Sequence, residues 1–495
     1  MLFNSLRFLC FFPLVCLGYF WIPDRVKYLW LLAASYYFYM CWNARYALLM
    51  TTSILITYFS GLLIGNTSAA RTGMKKIWVA LSFCSNLAIL VFFKYSNFLV
   101  DSFQNAAGLL GVELNLPVFD VLLPVGISFY TFQALSYTVD VYREEIKPER
   151  NVLRYALFVS FFPQLVAGPI ERSTNLLHQL RENNRPEWKR IKAGLLLMLW
   201  GYFEKMVLAD QTALVVDRVF EEYLTMNGAQ LAFATALFAL QIYCDFSGYS
   251  HIAIGAAQVM GFSLMQNFRQ PYFAVSVQDF WRRWHISLST WSRDYLYIPL
   301  GGNRKGPVRR ALNLMITFVV SGLWHGAAWT YVVWGALNGA FQLVGGWTRP
   351  TRSKLRALMH IREKSAIHRM AACVSTFLLI DFTWLFFRAQ SLTQASGILK
   401  KNLCDGTILR PQLQWFLLRS SEEASLRWLS MLGACALILL CASILRERGV
   451  SLRLWLLSRP WWVQGTAVVV GVVVVLVFGV YGGNYDATQF VYFQF

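Results

Sequence analysis

The chain has 495 residues, of which 57% are hydrophobic and only 14% are charged. Soluble domains carry about 25% charged residues, so this composition excludes an ordinary soluble protein and predicts a polytopic membrane protein. The net charge of +19 does not indicate nucleic-acid binding. The lysines and arginines lie in short loops between apolar runs, which is the pattern that orients membrane helices.

A helix that crosses the bilayer core needs about 20 mainly apolar residues, and about twelve segments meet that length. The predicted fold is therefore all-α, a polytopic membrane protein with about 11–12 transmembrane helices and additional re-entrant or interfacial helices. We expect one membrane domain over residues 1–495, with its signature core at approximately 119–346. The predicted spans in chain order are 1–21, 28–44, 46–66, 77–99, 119–140, 191–209, 229–260, 311–327, 329–346, 370–388, 428–445 and 461–480.

The basic loops are all expected on the cytoplasmic side, provided that segment 152–170 does not cross the bilayer. Pro163, Gly168 and Pro169 in that segment favour a re-entrant or interfacial element. Segment 347–369 mixes basic and apolar residues at helical spacing, which predicts an amphipathic helix at the membrane surface. The basic loops are 23–27, 71–76, 143–154, 171–192, 265–310, 347–369 and 446–459.

His325 stands between two apolar segments, about 22 Å along a helix from Arg310. A histidine inside a membrane span is costly, which makes it a candidate functional residue. The alternative is that it only hydrogen-bonds across helices. Apolar surroundings favour the neutral imidazole, which can act as a general base. Gly322, Gly326 and Gly335 would let a backbone or a substrate approach closely.

A basic, aromatic segment around His285 precedes these spans. One interpretation is a cytoplasmic pocket for a phosphate-bearing cofactor, and the other is anchoring at headgroup depth. The nine cysteines form no C-x-x-C pair, and no metal site is predicted. The candidate cofactor-binding residues are Arg282, Arg283, Trp284, Arg293 and Arg304.

Asp245 lies within an otherwise apolar span, so it needs a partner, which we expect to be an arginine of the basic segment or a histidine. His251 either joins the site or packs beside it. Ionisable residues in spans are also typical of transporters, so a transporter or flippase with a polar path through Asp245 and His325 is the alternative function. Tyr249, Trp324 and Asn303 are further residues expected to line a site.

Several motifs resemble those of the membrane-bound O-acyltransferase superfamily, and more closely its bacterial branch with the membrane subunit of alginate O-acetylation. The likeness covers nearly the whole chain. One departure is His251, where relatives commonly have aspartate, and this leaves the role of that position open. The motifs are Tyr243–Ser250, Phe280–Trp291, Arg293–Asn303 and Gly322–Gly326, with further likeness at Pro124–Tyr130, Ala167–Ile170 and Tyr492–Phe495.

The resemblance implies a ring of helices around a central funnel, with His325 tied to catalysis and His285 as the second signature position. It implies transfer of an acyl group, most often acetyl, from a cytoplasmic thioester for O-acetylation of alginate or another cell-surface glycan. Acetyl-CoA is the expected donor, with an acyl carrier protein as the alternative. The expected partner is an extracytoplasmic SGNH-type protein, and the expected location is a bacterial cytoplasmic membrane.

Overall fold

The computed structural model describes residues 1–119, 123–166, 168–360, 365–404 and 422–481, without the side chains of 422–426. Ala167 and the motif Tyr492–Phe495 lie outside these residues. Every regular element within the described ranges is a helix, which confirms the predicted all-α class.

The helices are numbered here in chain order. Stretches with π-helical geometry occupy Val91–Tyr95, Ser173–Leu177, Phe203–Ala209 and Arg293–Tyr297. The α-helices are α1 Leu6–Trp21, α2 Lys27–Met40, α3 Ala44–Asn66, α4 Thr72–Leu90, α5 Ser96–Leu109, α6 Ile127–Tyr142, α7 Val152–Ser160, α8 Phe162–Leu165, α9 Trp188–Tyr202, α10 Asp210–Glu221, α11 Gly228–Met260, α12 Val277–Arg283, α13 Ile286–Ser292, α14 Gly306–His325, α15 Trp329–Trp347, α16 Arg349–Leu358, α17 Ala366–Arg388, α18 Leu392–Cys404, α19 Glu422–Glu447, α20 Leu452–Leu457 and α21 Trp461–Phe478.

Most predicted spans coincide with one of these helices, and the chain is a multi-pass membrane protein. Span 77–99 runs from α4 through Val91–Tyr95 into α5, and span 191–209 runs from α9 into Phe203–Ala209. Only the part of span 119–140 from Ile127 onward is helical among the described residues. Among the described residues, six helices are long and apolar enough to cross a membrane. Neither α14, which ends at His325, nor α15, which follows it, belongs to this set. His325 therefore lies outside the strongly apolar helices, and it is buried inside the protein. The six are α3, the continuous stretch Thr72–Leu109, α11, α17, Arg427–Glu447 and α21.

The described residues of segment 152–170 include two short helices, α7 and α8, as expected for an element that does not cross. The nine residues of α7 span only about 13 Å, against a hydrocarbon core of about 30 Å. Asn151 caps α7 because its side-chain oxygen accepts hydrogen bonds from the backbone N–H groups of Leu153 and Arg154. No residue of α16, in the predicted amphipathic segment, is buried.

The chain forms two compact units, residues 1–195 with 253–265, and residues 196–252 with those from 266 onward. Polar side chains connect buried helices of the first unit. The Tyr155 hydroxyl lies 2.8 Å from Thr57 Oγ1, and the Ser82 and Thr138 hydroxyls lie 3.2 Å apart. Such hydrogen bonds join helices that apolar packing alone holds weakly in a membrane.

The core of the second unit is rich in aromatic rings. Trp284 stacks on Phe280 with ring centroids 5.4 Å apart, and Trp334 stacks on Trp384 at 5.9 Å. All three tryptophans are at most 1% exposed. This aromatic layer fills the space between α12, α15 and α17, and it surrounds the end of α14 described below.

Helices α14 and α15 touch at backbone level through glycines. A Cβ at Gly322 would lie 2.2 Å from the Tyr331 carbonyl oxygen, and one at Gly335 would lie 2.4 Å from the Phe318 carbonyl oxygen. These glycines were expected to admit either a backbone or a substrate. The structure shows that Gly322 and Gly335 admit the backbone of the facing helix. The contact fixes the hairpin that ends α14 at His325.

We predict that Gly335→Ala destabilises the protein by about 1–3 kcal/mol, because the added methyl group meets an immobile carbonyl. The matched control is Gly345→Ala in the same helix, where no atom lies within 4 Å of the new Cβ. Thermal unfolding of detergent-purified protein measures both. A lower midpoint for Gly335→Ala alone is expected, and equal midpoints for the two variants would contradict the hairpin contact.

Candidate functional site

The structure brings the two predicted histidines together in the second unit. His325 is the last residue of α14 and is 3% exposed, whereas His285 is fully buried at 0%. Their ring centroids are 6.3 Å apart. Trp324, also expected to line a site, lies with its ring 5.9 Å from His285. The pair therefore forms one local environment from two distant stretches of sequence.

A left-handed backbone conformation positions His285, with φ of 42° and ψ of 56°. For a residue other than glycine this conformation costs about 1–2 kcal/mol. The next residues hold it in place. The Ile286 N–H donates to the Asn267 carbonyl at 2.9 Å, and the Ser287 hydroxyl donates to Asn267 Oδ1 at 2.7 Å. Asn267 is thus a positioning residue that the sequence reasoning missed.

Aromatic rings enclose His325. The ring centroids of Trp324 and Trp334 each lie 5.0 Å from the imidazole, and that of Phe387 lies 5.3 Å away. With 3% of the residue exposed, a substrate reaches the imidazole only when one of these side chains moves. The described site is therefore a closed one.

Burial sets the protonation state of the His285 imidazole. Burial lowers the pKa of His285 to about 3, so this side chain is neutral at physiological pH. As a neutral ring, His285 offers one N–H donor and one nitrogen acceptor.

Two of the predicted cofactor-binding residues have structural partners. Arg283 contacts Asp279 at 3.1 Å and Glu447 at 2.8 Å, so two carboxylates neutralise its charge. Trp284 is 1% exposed and belongs to the aromatic core, so its indole does not line an open surface. These contacts favour a packing role for both side chains.

The other predicted arginines face outward. Arg282 and Arg304 are exposed, and neither has an ion-pair partner among the described residues. Arg293 is exposed and contacts its neighbour Asp294 at 2.7 Å. Asn303 is also exposed and accepts a hydrogen bond from a tyrosine hydroxyl. Arg282 and Arg304 are thus the cations of this set best placed to meet an anionic ligand.

The partner of Asp245 is a lysine, and the expectation of an arginine or a histidine was wrong. Lys205 Nζ lies 2.5 Å from Asp245 and 2.8 Å from Asp210, with all three side chains at most 5% exposed. The ring of Tyr249 faces the same ammonium group at 5.7 Å. Asp245 and Tyr249 therefore belong to a buried ion cluster.

His251 packs beside this cluster, on Glu204. The Glu204 carboxylate is fully buried and accepts hydrogen bonds from His251 Nδ1 at 2.6 Å, Ser247 at 3.0 Å and Trp200 at 2.8 Å. Of the two places considered for His251, the structure gives it the second, packed beside the site. Its imidazole satisfies a buried carboxylate, as a buried charge requires.

Glu204 and Lys205 lie in the π-helical stretch Phe203–Ala209, a geometry that occurs often at functional sites. Sequence reasoning missed both residues, although a signal was present. They stand inside the predicted span 191–209, and the rule that singled out Asp245 applies to any ionisable residue in a span. The turn of α11 that carries Asp245 also contacts His285, because the Phe246 ring lies 4.6 Å from that imidazole.

Comparison with known proteins gives one family. The membrane-bound O-acyltransferase family model matches residues 15–383. A probable alginate O-acetylase, AlgI, of Pseudomonas putida is 40% identical over 402 residues, covering 80% of this chain and 79% of that protein. A peptidoglycan O-acetyltransferase of Helicobacter pylori is 35% identical, covering 81% and 79%. A teichoic acid D-alanyltransferase of Bacillus subtilis is 23% identical, covering 55% and 70%.

We predict that Lys205→Met destabilises the protein by about 3–5 kcal/mol, because it leaves two buried carboxylates without a counter-charge. Adding Asp245→Asn should recover part of this loss. The control is Arg218→Ala, which breaks an exposed pair with Glu222 and should change stability by about 0–1 kcal/mol. Thermal unfolding in detergent measures all three, and similar midpoints for Lys205→Met and Arg218→Ala would contradict the ion cluster.

Proposed function

Because the chain belongs to the membrane-bound O-acyltransferase family and is thus an acyltransferase, we propose that it O-acetylates a cell-surface polysaccharide. The names of two relatives support this, since one is a probable alginate O-acetylase and another a peptidoglycan O-acetyltransferase. The proposed donor is a cytoplasmic thioester, acetyl-CoA or an acetylated carrier protein. The acceptor is reached from the opposite face of a bacterial cytoplasmic membrane.

The observation that carries the proposed mechanism is the enclosed histidine pair, with centroids 6.3 Å apart. His325 takes the proton of the acceptor hydroxyl while the hydroxyl oxygen bonds to the thioester carbonyl carbon. The carbonyl oxygen becomes negative in the tetrahedral intermediate. The C–S bond then breaks, the sulfur takes the proton from the imidazolium, and the products are an ester and a thiol.

His285 and Trp334 are the proposed donors to the negative oxygen. The Trp334 indole N–H is buried and has no hydrogen-bond acceptor among the described residues. Leaving a buried donor unsatisfied costs about 1–3 kcal/mol, so a ligand oxygen that accepts from this N–H would remove that cost. Donors held in place before the reaction stabilise developing charge without reorganisation.

Enclosure of the site fits a thioester donor. Water competes with the acceptor hydroxyl for an activated acyl group, and a closed aromatic wall limits that side reaction. Substrate binding then has to displace Trp324 or Phe387, the other two rings around His325. This account predicts that the site opens on binding.

The exposed Arg282 and Arg304 are the proposed contacts for the donor's phosphates. The first acceptor is either a sugar hydroxyl or a side chain of an SGNH-type extracytoplasmic partner, and both receive the acyl group by the same step. A transporter path through Asp245 and His325 is not proposed, because Lys205 neutralises Asp245.

We predict that His325→Ala lowers acetyl transfer by about 10²–10⁴-fold, the contribution typical of a general base. The matched control is His178→Ala, which changes a histidine with 63% of its side chain exposed. Base-released acetate from the purified surface polysaccharide reports transfer, and detergent extraction with thermal unfolding reports folding. Normal acetylation in cells that carry only His325→Ala would refute the proposed base.

A second prediction distinguishes the proposed binding role of Arg304 from the structural role of Arg283. Arg304→Ala should raise the KM for acetyl-CoA about tenfold with little change in kcat, because it removes one charge-assisted phosphate contact. Arg283→Ala should instead lower the unfolding midpoint, since Asp279 and Glu447 lose their shared counter-charge. An unchanged KM in Arg304→Ala would remove Arg304 from the donor site.

A further inference from the structure

A cavity of about 210 Å³ lies in the first unit, and none of its lining residues belongs to the histidine site or to the ion cluster. Three of the predicted basic loops meet there, 23–27, 143–154 and 171–192. They contribute Arg25, Lys27, Arg154 and Arg181 to its wall. Neither the family nor the proposed acyl transfer assigns a ligand to this cavity.

Positive charge exceeds negative charge around the cavity. Lys27 pairs with Asp24 at 2.7 Å, and Arg181 pairs with the buried Glu149 at 2.7 Å. Arg154 lies 3.8 Å from the same Glu149, which is too far for a hydrogen bond. Arg25 has no ion-pair partner in the part of the chain that the structure describes. The cavity therefore suits an anion.

One buried donor beside the cavity lacks an acceptor. Arg154 Nε is buried without a hydrogen bond to any described residue. Asn184 adjoins the wall because its carbonyl oxygen accepts from Lys27 Nζ at 3.2 Å. An unsatisfied buried donor is costly, and an oxyanion in the cavity can accept a hydrogen bond from it.

The rest of the wall is aromatic and aliphatic, and includes Tyr19 of α1 and Tyr28 of α2. Helix α1 also exposes Leu14 and Leu17 at 65% and 66%, as expected of a surface that acyl chains cover. The cavity is smaller than the about 300–1,000 Å³ typical of sites for whole drug-sized ligands. A headgroup therefore fits better than a nucleotide thioester.

We propose that this cavity binds the phosphate of an anionic phospholipid headgroup, with Arg25 and Arg154 as principal donors. Basic loops at a membrane surface attract anionic lipids in general, and the cavity adds a specific binding site for one headgroup. Free phosphate shares the recognised chemistry, so the test has to distinguish the two sources. The site is independent of the proposed acyl transfer.

The test uses native mass spectrometry of the full chain, purified with a mixture of phosphatidylglycerol and phosphatidylcholine. We expect wild-type protein to retain phosphatidylglycerol preferentially, and Arg25→Gln to weaken retention about tenfold. Arg154→Gln should act in the same direction. The control is Arg71→Gln, an exposed arginine of the basic loop 71–76 that lies away from the cavity wall.

Equal retention by wild type, Arg25→Gln and Arg154→Gln would overturn the site. A second arm measures thermal unfolding with phosphatidylglycerol or with inorganic phosphate. Stabilisation by the lipid that Arg25→Gln loses supports the proposal, even if Arg154→Gln fails to fold. Equal stabilisation by inorganic phosphate would overturn the assignment to a lipid. Loss of acetyl transfer is not a readout, so the proposed enzyme activity can fail independently.

Discussion

The buried ion pair between Lys205 and Asp245 constrains the geometry of the second unit. Removing an ion from water costs several kcal/mol, so neither residue is tolerated there without the other. Asp210 lies 2.8 Å from the same ammonium, so Lys205 is the counter-charge of two carboxylates. The pair fastens the π-helical stretch 203–209 to one turn of α11. Phe246 in that turn contacts His285, so the ion pair and the histidine site share one structural support.

The histidine pair depends on two further local devices. The glycine contacts of Gly322 and Gly335 hold α14 against α15, close to the end of α14 at His325. The left-handed turn at His285, held by Asn267, brings the second imidazole to the first. Both features restrict the local backbone and cost free energy on their own. A requirement that the two rings meet in a site that excludes water would explain both.

Local patterns in the sequence were sufficient for the helices and for the short helices of segment 152–170. The resemblance to the family singled out His285 and His325, and their catalytic roles stay predictions. Contacts between distant residues were not accessible in the same way. Arg283 is neutralised by Glu447, and no spacing rule connects these two positions. The burial of Trp284 was also not predictable from its basic neighbours. An aromatic ring beside arginines occurs both in protein cores and at membrane surfaces. The single domain over 1–495 and the cytoplasmic placement of the basic loops stay predictions.

The measurement that tests the central claim most directly is a cryo-EM structure of the protein with a non-hydrolysable thioether analogue of acetyl-CoA. The account predicts that the acyl carbon lies within reacting distance of the hydroxyl position beside His325, with an acyl oxygen facing His285 or Trp334. Reacting atoms in such complexes are about 3–3.5 Å apart. An analogue bound elsewhere, with the His325 ring still enclosed by Trp324, Trp334 and Phe387, would contradict it.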